Sequence, residues 1–359
     1  MKRRATAPII VAADAVLTIL VLVLLASAVV YYAVDHELSA PGPLAQAKVV
    51  IIPKGAGSRD MGQLLENNGI VDNHWMFVAG VESAGERGKL KAGEYQIPAH
   101  ASIRQIIRLI ASGKVMEHPI TIPEGLTSQQ IVDRLKSEPV LAGEVDVVPP
   151  EGTLLPETYN VVRGTTREQV LAIMVKKDQE AVAQIWAGRD PGLPLKSAEQ
   201  LVTLASVVEK ETGIASERPR VAAVFVNRLE KGMRLQSDPT IIYGLVGGKG
   251  TLGRPLTRDD IDRPTPYNTY TIRGLPPGPI TNPGRASLEA VAHPAHTDDL
   301  YFVADGSGGH AFAATLVAHR RNVERLRAIE AMRGEAADTP AAGGDDSEPA
   351  VPQPQRHRR

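Results

Sequence analysis

The chain has 359 residues, of which 43% are hydrophobic and 23% charged, a composition typical of a globular protein with a sizeable core. At about 150 residues per domain, this length predicts roughly two domains. The 40 basic residues are balanced by 41 acidic ones and only 4% are aromatic, which argues against nucleic acid as a partner. The chain has no cysteine, which excludes disulfides, thiolate metal ligands and a cysteine nucleophile.

The N-terminal segment predicts a membrane anchor. Residues 15–34 carry no charge, and as a helix they would span about 30 Å, the thickness of a bilayer core. Three cations precede this span, whereas Asp35 and Glu37 follow it, so we expect residues 1–14 in the cytoplasm and the body of the protein outside. A cleaved signal peptide is the alternative, because the Ala-Ser-Ala run at 26–28 resembles a cleavage site. Both interpretations export the rest of the chain.

The region after the anchor contains a short repeated unit. Residues 35–47 predict a linker, and three copies of a β-like run, a Pro/Gly turn and an amphipathic helix follow it. The turns begin at Ile52, Ile97 and Ile122, and the expected helix caps are Ser58, Ser102 and Thr127. We predict small β/α modules against one short sheet over residues 48–140. This pattern resembles LysM modules, which bind N-acetylglucosamine-containing glycans; a spacer domain is the alternative.

A helix in the second half of the chain ends in two glutamates. Ser197 is suited to cap its start, and Gly213 is suited to end it. On a helical wheel Lys210 faces water, whereas Glu209 and Glu211 border the buried stripe. Partial desolvation and the negative end of the helix dipole both raise the pKa of a carboxyl there, which suits a general acid. The spacing alone places Glu211 only slightly better than Glu209, and the alternative is that both are surface carboxylates.

The segments after this helix are rich in turns and caps. Residues 217–231 predict a second helix, and Asp238 before Pro239 is suited to cap a third. The later elements predicted are a hairpin at residues 300–304 and 310–313, a last helix from Thr315 to about Arg333, and a disordered tail over residues 334–359. The spacing of the histidines and glycines favours neither a metal site nor a nucleotide site, so no metal and no cofactor are expected.

Several motifs in this half together carry a family resemblance. They are the runs at residues 204–212, 215–218, 226–229, 233–240, 267–270, 274–278, 301–306 and 308–310. In these runs the chain resembles the endolytic murein transglycosylases of the MltG (YceG-like) family. Leu155 and Glu157 depart from the family pattern, where an aromatic residue and an aspartate are common. The resemblance implies that Glu211, the second glutamate of the Glu-Lys-Glu-Thr motif, is the catalytic acid.

The resemblance also implies a fold, a reaction and a location. We expect an α+β protein with a transmembrane helix over residues 15–34, the LysM-like β/α region over 48–140 and a mixed α+β catalytic domain over 141–333. The family is anchored once in the inner membrane, faces the periplasm and cuts nascent peptidoglycan strands internally. Peptidoglycan strands and the membrane are therefore the expected partners, and the resemblance implies peptidoglycan synthases as well.

The implied reaction needs one essential carboxyl group. Protonated Glu211 donates to the oxygen between N-acetylmuramic acid and N-acetylglucosamine and then takes the proton of the C6 hydroxyl that attacks C1. The product is a 1,6-anhydro end, and no water is consumed. The candidates to line the groove or support the site are Gln236, Asp238, Tyr243, Asn268, Tyr270 and Glu209.

Two alternatives stay open at this point. One is a hydrolase in which a second carboxylate activates water, as most glycosidases require; the candidates are Glu157, Glu209 and Asp238. The other is a non-catalytic, glycan-binding scaffold of the wall-synthesis machinery.

Overall fold

The structure, a computed structural model, describes residues 6–338 and the side chains of residues 12–333. Its residues form two compact units whose segments alternate along the chain. The first unit contains the chain up to residue 122 together with residues 131–148 and 157–173, and the second contains the remainder. The chain thus passes between the units several times, and the separate domain roles expected for residues 48–140 and 141–333 stay predictions.

Helix α1 runs over Thr6–Ser39 and is the N-terminal element of the first unit. Its segment Ala12–Ser39 is long and apolar enough to cross a membrane, and residues 12–33 of that segment are exposed. The helix continues past the predicted span, so the first five residues of the expected linker are helical. It continues because no proline or glycine occurs between Pro8, in its first turn, and Pro41 to end it. The three N-terminal cations lie outside the described residues.

Two small antiparallel sheets organise the first unit. The elements that follow α1 are β1 (Lys48–Ile52), α2 (Ser58–Asn67), α3 (His74–Ser83), β2 (Gly93–Ile97), α4 (Ile103–Ser112), β3 (Glu117–Thr121), α5 (Ser128–Ser137), β4 (Thr158–Val162) and α6 (Arg167–Gly188). Strand β1 pairs with β2, with Lys48 opposite Ile97, and β3 pairs with β4, with Glu117 opposite Val162. The prediction of one short sheet is therefore wrong, because β3 pairs with a strand that the repeat did not contain.

The apolar faces predicted for the repeat form the core around the first sheet. Phe77, Tyr95, Ile97 and Ile110 are completely buried there. Among the helix caps, Ser102 accepts the N–H of Gln105, as predicted. Helix α2, however, is capped by Gly57 rather than by Ser58, since the carboxylate of Asp60 accepts the Gly57 N–H at 3.1 Å. A carboxylate three residues into the helix thus replaces the hydroxyl cap.

The second unit is built around three packed helices. It includes residues 174–188 of α6, and its further elements are α7 (Ala198–Glu211), a 3₁₀ turn (Ala215–Glu217), α8 (Arg218–Glu230), α9 (Asp238–Val246), α10 (Arg258–Asp262), α11 (Arg285–Ala292), β5 (Tyr301–Ala304), β6 (His310–Ala313) and α12 (Leu316–Asp338). Helices α7, α8 and α11 share one hydrophobic core. Strands β5 and β6 form the predicted hairpin, with Tyr301 opposite Ala313. The first five residues of the predicted tail, 334–338, are helical, and residues 339–359 lie outside the described chain.

Helix α7 is more deeply buried than its amphipathic pattern predicts. All eight residues of Leu201–Val208 are buried, including two polar ones. The hydroxyl of Thr203 donates to the carbonyl of Glu199, while the hydroxyl of Ser206 donates to the carbonyl of Thr203 and accepts the N–H of Ile280. These hydrogen bonds allow the polar residues to lie inside the core. The helix thus holds its C-terminal carboxylates on a rigid element.

Candidate active site

The last turn of α7 carries both glutamates of the predicted motif. Glu211 is the final residue of the helix and Glu209 lies two positions earlier, so their side chains point in different directions. Lys210, between them, is exposed, as the helical wheel predicts. Thr212 leaves the helix in an extended conformation, and its hydroxyl donates to the carbonyl of Val208 at 2.8 Å. The helix therefore ends directly at the Glu211 side chain.

The Glu211 carboxyl is desolvated and accepts one hydrogen bond from the described residues. The Ser237 hydroxyl donates to Oε1 of Glu211 at 2.6 Å. Burial raises the pKa of Glu211 and is the largest influence on it, and the charge of Asp238 raises the pKa further. The Ser237 hydrogen bond and the charges of His310 and Arg228 oppose this increase, but the net direction is upward. A carboxyl group with a raised pKa keeps its proton closer to neutral pH, as a general acid requires.

Glu209 has a different environment, in which it joins three parts of the second unit. Its side chain is 6% exposed and accepts the N–H of Gly284 at 2.9 Å. The guanidinium of Arg218 lies 3.8 Å from Glu209 and 3.6 Å from Glu124. A Cβ atom at position 284 would lie 1.9 Å from a Glu124 oxygen, so glycine is required for this close approach. Glu209 thus ties the end of α7 to the starts of α8 and α11.

The segment that carries Ser237 is held in an unusual backbone conformation. Gln236 is a non-glycine residue with a φ of 51°, in the left-handed region. Its N–H donates to the carbonyl of Thr269, and the N–H of Ser237 donates to the Thr269 hydroxyl at 2.9 Å. Such a conformation costs about 1–3 kcal/mol and persists where the surroundings fix it. Here it places Ser237 against Glu211 and leaves Gln236 exposed.

Two of the predicted groove residues meet beside Glu211. The Tyr270 hydroxyl donates to Oδ1 of Asp238 at 2.7 Å, and the charge of Asp238 acts on the Glu211 carboxyl. Burial raises the pKa of the Tyr270 hydroxyl, and its hydrogen bond to Asp238 raises it further. The prediction of Asp238 as a helix cap is wrong: Ser237 is the N-cap of α9, and Asp238 is its first helical residue. Its carboxylate is therefore available to Tyr270.

The last two residues predicted to line the groove are Asn268 and Tyr243, and both make contacts within the protein. Asn268 is fully buried; its amide donates to the carbonyls of Ile261 and Arg263 and accepts the N–H of Tyr270. In this conformation it orders the loop that carries Tyr270. Tyr243 packs against Tyr267, with ring centroids 4.8 Å apart, and burial followed by the charge of Glu151 raises the pKa of its hydroxyl.

Three groups that act on the Glu211 carboxyl were not selected from the sequence: Ser237 acts by a hydrogen bond, and Arg228 and His310 act by their charges. Ser237 was inside a motif but was not singled out. Arg228 is buried, and its guanidinium donates to the carbonyls of Leu300 and Leu235 at 2.7 and 2.6 Å. Its position in the Asn-Arg-Leu motif was the available signal.

His310 is the third addition. Its backbone N–H and ring Nδ1 lie 3.0 and 2.7 Å from the two carboxylate oxygens of Glu217. A Cβ atom at Gly309 would lie 2.8 Å from Glu217, so the turn before His310 depends on glycine for this approach. Since Nδ1 is engaged, Nε2 is the ring nitrogen left without a hydrogen-bond partner in the described part of the chain.

The three carboxylates that could activate water in a hydrolase have different surroundings. Asp238 is near Glu211 but accepts the Tyr270 hydroxyl, and Glu209 is occupied by Gly284 and Arg218. Glu157 belongs to the first unit. Of these three candidates, Asp238 is the one whose charge acts on Glu211, and it is already hydrogen-bonded to a tyrosine.

The chain matches a known family over most of its length. A model described as the YceG-like family matches residues 50–325. The endolytic murein transglycosylase of Bacillus subtilis (strain 168) is 32% identical over 307 residues, which cover 76% of this chain and 83% of that protein. The protein of the same name from Streptococcus pneumoniae D39 is 28% identical over 362 residues, covering 86% of this chain and 64% of that protein.

A solved structure is also similar. The crystal structure of a YceG-like protein from Listeria monocytogenes matches 77% of this chain and 98% of its own at 32% identity, with a TM-score of 0.49. The family match spans well over half of the chain. The chain belongs to the YceG-like family.

Proposed function

We propose that this chain is an endolytic murein transglycosylase that cleaves the bond between N-acetylmuramic acid and N-acetylglucosamine in peptidoglycan strands. The observation that carries the proposal is the desolvated Glu211 carboxyl, held at the end of a buried helix by one hydroxyl donor. The names of the relatives from B. subtilis and S. pneumoniae support the same activity.

In the first step Glu211 acts as a general acid. Ser237 donates to Oε1, so Oε2 is the oxygen free to carry the proton to the glycosidic oxygen. As the bond breaks, positive charge develops at C1 of the muramic sugar and Glu211 becomes a carboxylate. The hydrogen bond from Ser237 and the charges of Arg228 and His310 stabilise this anion.

In the second step the same carboxylate acts as a base. It takes the proton of the C6 hydroxyl while that oxygen attacks C1, which closes the 1,6-anhydro ring and returns Glu211 to its acid form. Because the attacking hydroxyl belongs to the same sugar, it is already close to C1 and no second carboxylate is needed to activate water. Asp238 and Tyr270 are then available to orient the sugar, and Gln236 and Tyr243 are the further candidates for contacts with the strand.

We also infer that α1 crosses the inner membrane once and leaves the rest of the chain in the periplasm. The apolar segment Ala12–Ser39 and the cations that precede it support this orientation. Glycan binding by the region 48–140 and an association with peptidoglycan synthases remain expectations from the resemblances.

The test is digestion of purified glycan strands by the full chain in detergent micelles, with the products identified by mass spectrometry. We expect ends one water lighter than hydrolysis would give, and a rate at least about 100-fold lower for Glu211→Gln. The amide can still accept from Ser237, so this variant should fold. Glu330→Gln, an exposed glutamate on α12, is the matched control and should keep full activity. Ends that contain the added water would instead show a hydrolase.

A further inference from the structure

The end of α1 is fixed to the body of the first unit. Leu38, four residues beyond the uncharged stretch, is only 3% exposed. A Cβ atom at Gly80 on α3 would lie 2.8 Å from both Leu38 and Ile107, so the glycine allows α1 and α4 to approach α3 closely. The uncharged stretch is as long as a bilayer core is thick, so this contact lies at the level of the lipid headgroups.

A cavity of about 330 Å³ opens at this contact. Helix α1 lines it with Tyr31 and Asp35, the end of α3 with Ala84, and α4 with Arg104 and Arg108. Tyr31 is 73% exposed and has the position of an interfacial aromatic residue. The cavity is therefore both next to the apolar surface of α1 and lined by charged groups.

The charges around the cavity leave an excess of basic donors. Arg104 donates to Asp35 through Nη2, but its Nε is buried without a hydrogen-bond partner in the described part of the chain. Glu86, which also lines the cavity, pairs with Lys89 at 3.3 Å. Arg108 is exposed and makes no ion pair within the described residues. The Arg108 guanidinium is therefore the lining cation without an acidic partner among the described residues, whereas the Arg104 Nε and the Glu86 Oε2 are buried without a hydrogen bond.

We propose that this cavity binds the phosphodiester of a membrane phospholipid headgroup, with the acyl chains lying along the exposed apolar face of α1. A phosphodiester carries one negative charge and accepts the planar donors that guanidinium groups offer. The depth of the cavity relative to the apolar span favours a lipid over a soluble anion. The proposal rests on the membrane anchoring inferred above but is independent of the catalytic assignment.

The experiment measures phospholipid retention by the full chain released from nanodiscs, using native mass spectrometry. We expect a retained phospholipid that Arg108→Gln binds about fivefold more weakly, the effect of one basic side chain at a headgroup. Ala84→Phe should also reduce retention by filling the cavity without changing any charge. Arg59→Gln is the control for charge. Arg59 lies on α2, where its guanidinium stacks over the Trp75 ring of α3, and neither residue lines the cavity, so this variant should retain lipid normally. Equal retention by all four proteins would overturn the proposal.

Two further measurements separate the possible reasons for failure. Flotation with phosphatidylethanolamine–phosphatidylglycerol vesicles tests the anchor alone, and all variants should float. A wild-type chain that does not float would overturn both the anchor and the lipid site, whereas floating proteins with equal retention would overturn only the site. Competition with inorganic phosphate should leave retention unchanged; displacement by phosphate would show a site for free anions instead of lipid.

Discussion

Glu209 and Glu211 are separated by a single lysine, yet their side chains have opposite roles in the structure. Glu209 is held by a backbone N–H and a guanidinium, which suit a fixed charge. Glu211 has one hydroxyl donor, and its desolvation raises the pKa of its carboxyl. Two chemically identical residues thus differ because the partners that reach them come from different parts of the chain.

The hydrogen bond from Ser237 should set the pH range of the reaction. It stabilises the carboxylate form and so lowers the pKa of Glu211. Its removal in Ser237→Ala should raise that pKa, so the alkaline limb of the pH–rate profile moves to higher pH and the maximal rate falls about tenfold. Ser216→Ala, an exposed serine, is the control. A lower rate with an unmoved alkaline limb would contradict this role.

The charge of His310 should act in the same direction. It lowers the pKa of Glu211, so His310→Gln should also extend activity to higher pH while reducing the rate at neutral pH. Glu217→Gln should weaken the orientation of the ring, since its carboxylate holds the His310 N–H and Nδ1. His296→Gln serves as the control. If His310 only stabilises the hairpin, thermal stability should fall but the pH profile should stay in place.

At the scale of elements, α7 is a core helix whose C-terminal end is held by polar contacts with two neighbouring helices. Its buried centre packs with α8 and α11, and Glu209 adds polar contacts to the first turns of both. A helix end tends to fray, so the contacts of Glu209 explain how the final residue, Glu211, keeps a defined position. We therefore expect Glu209 to position Glu211 without touching the sugar.

This view predicts different effects for two substitutions of Glu209. Glu209→Ala leaves the Gly284 N–H without its acceptor and weakens the pairing of the partly buried Arg218, which should lower the free energy of unfolding by about 2–4 kcal/mol in urea titrations. Glu209→Gln keeps an acceptor for Gly284 and should cost less. We expect Glu209→Gln to retain most of its activity below its melting temperature. Complete loss of activity in a folded Glu209→Gln variant would favour a water-activating carboxylate.

At the scale of the whole molecule, the absence of cysteine allows a direct test of orientation. A single cysteine at Ser39, at the end of α1, should react with a membrane-impermeant maleimide in intact cells. A cysteine at Thr6, at the other end of the helix, should react only after lysis. Labelling of the Thr6 variant alone in intact cells would reverse the proposed orientation. Release of the N-terminal segment from the mature protein would instead show a cleaved signal peptide.

Much of the local structure follows from the sequence because it depends on neighbouring residues. The strands of the repeat, the hairpin near residue 305 and the caps at Ser102 and Ser197 arise from periodicity and turn chemistry within a few positions. The errors at Ser58 and Asp238 are also local, since one neighbouring side chain or a shift of one residue decides which group caps a helix. The pairing of β3 with β4 depends on segments far apart in the chain and had no local signal.

The sequence by itself predicted the apolar N-terminal helix, the helix that carries the two glutamates and, through its motifs, the family and Glu211 as the candidate acid. Only the tertiary structure decided which groups surround that carboxyl. Ser237 donates a hydrogen bond to Glu211, Arg228 and His310 act on it through their charges, and Asn268 is turned inward to order a loop. The pKa of a carboxyl depends on such distant neighbours and on burial, neither of which is encoded within one turn of helix.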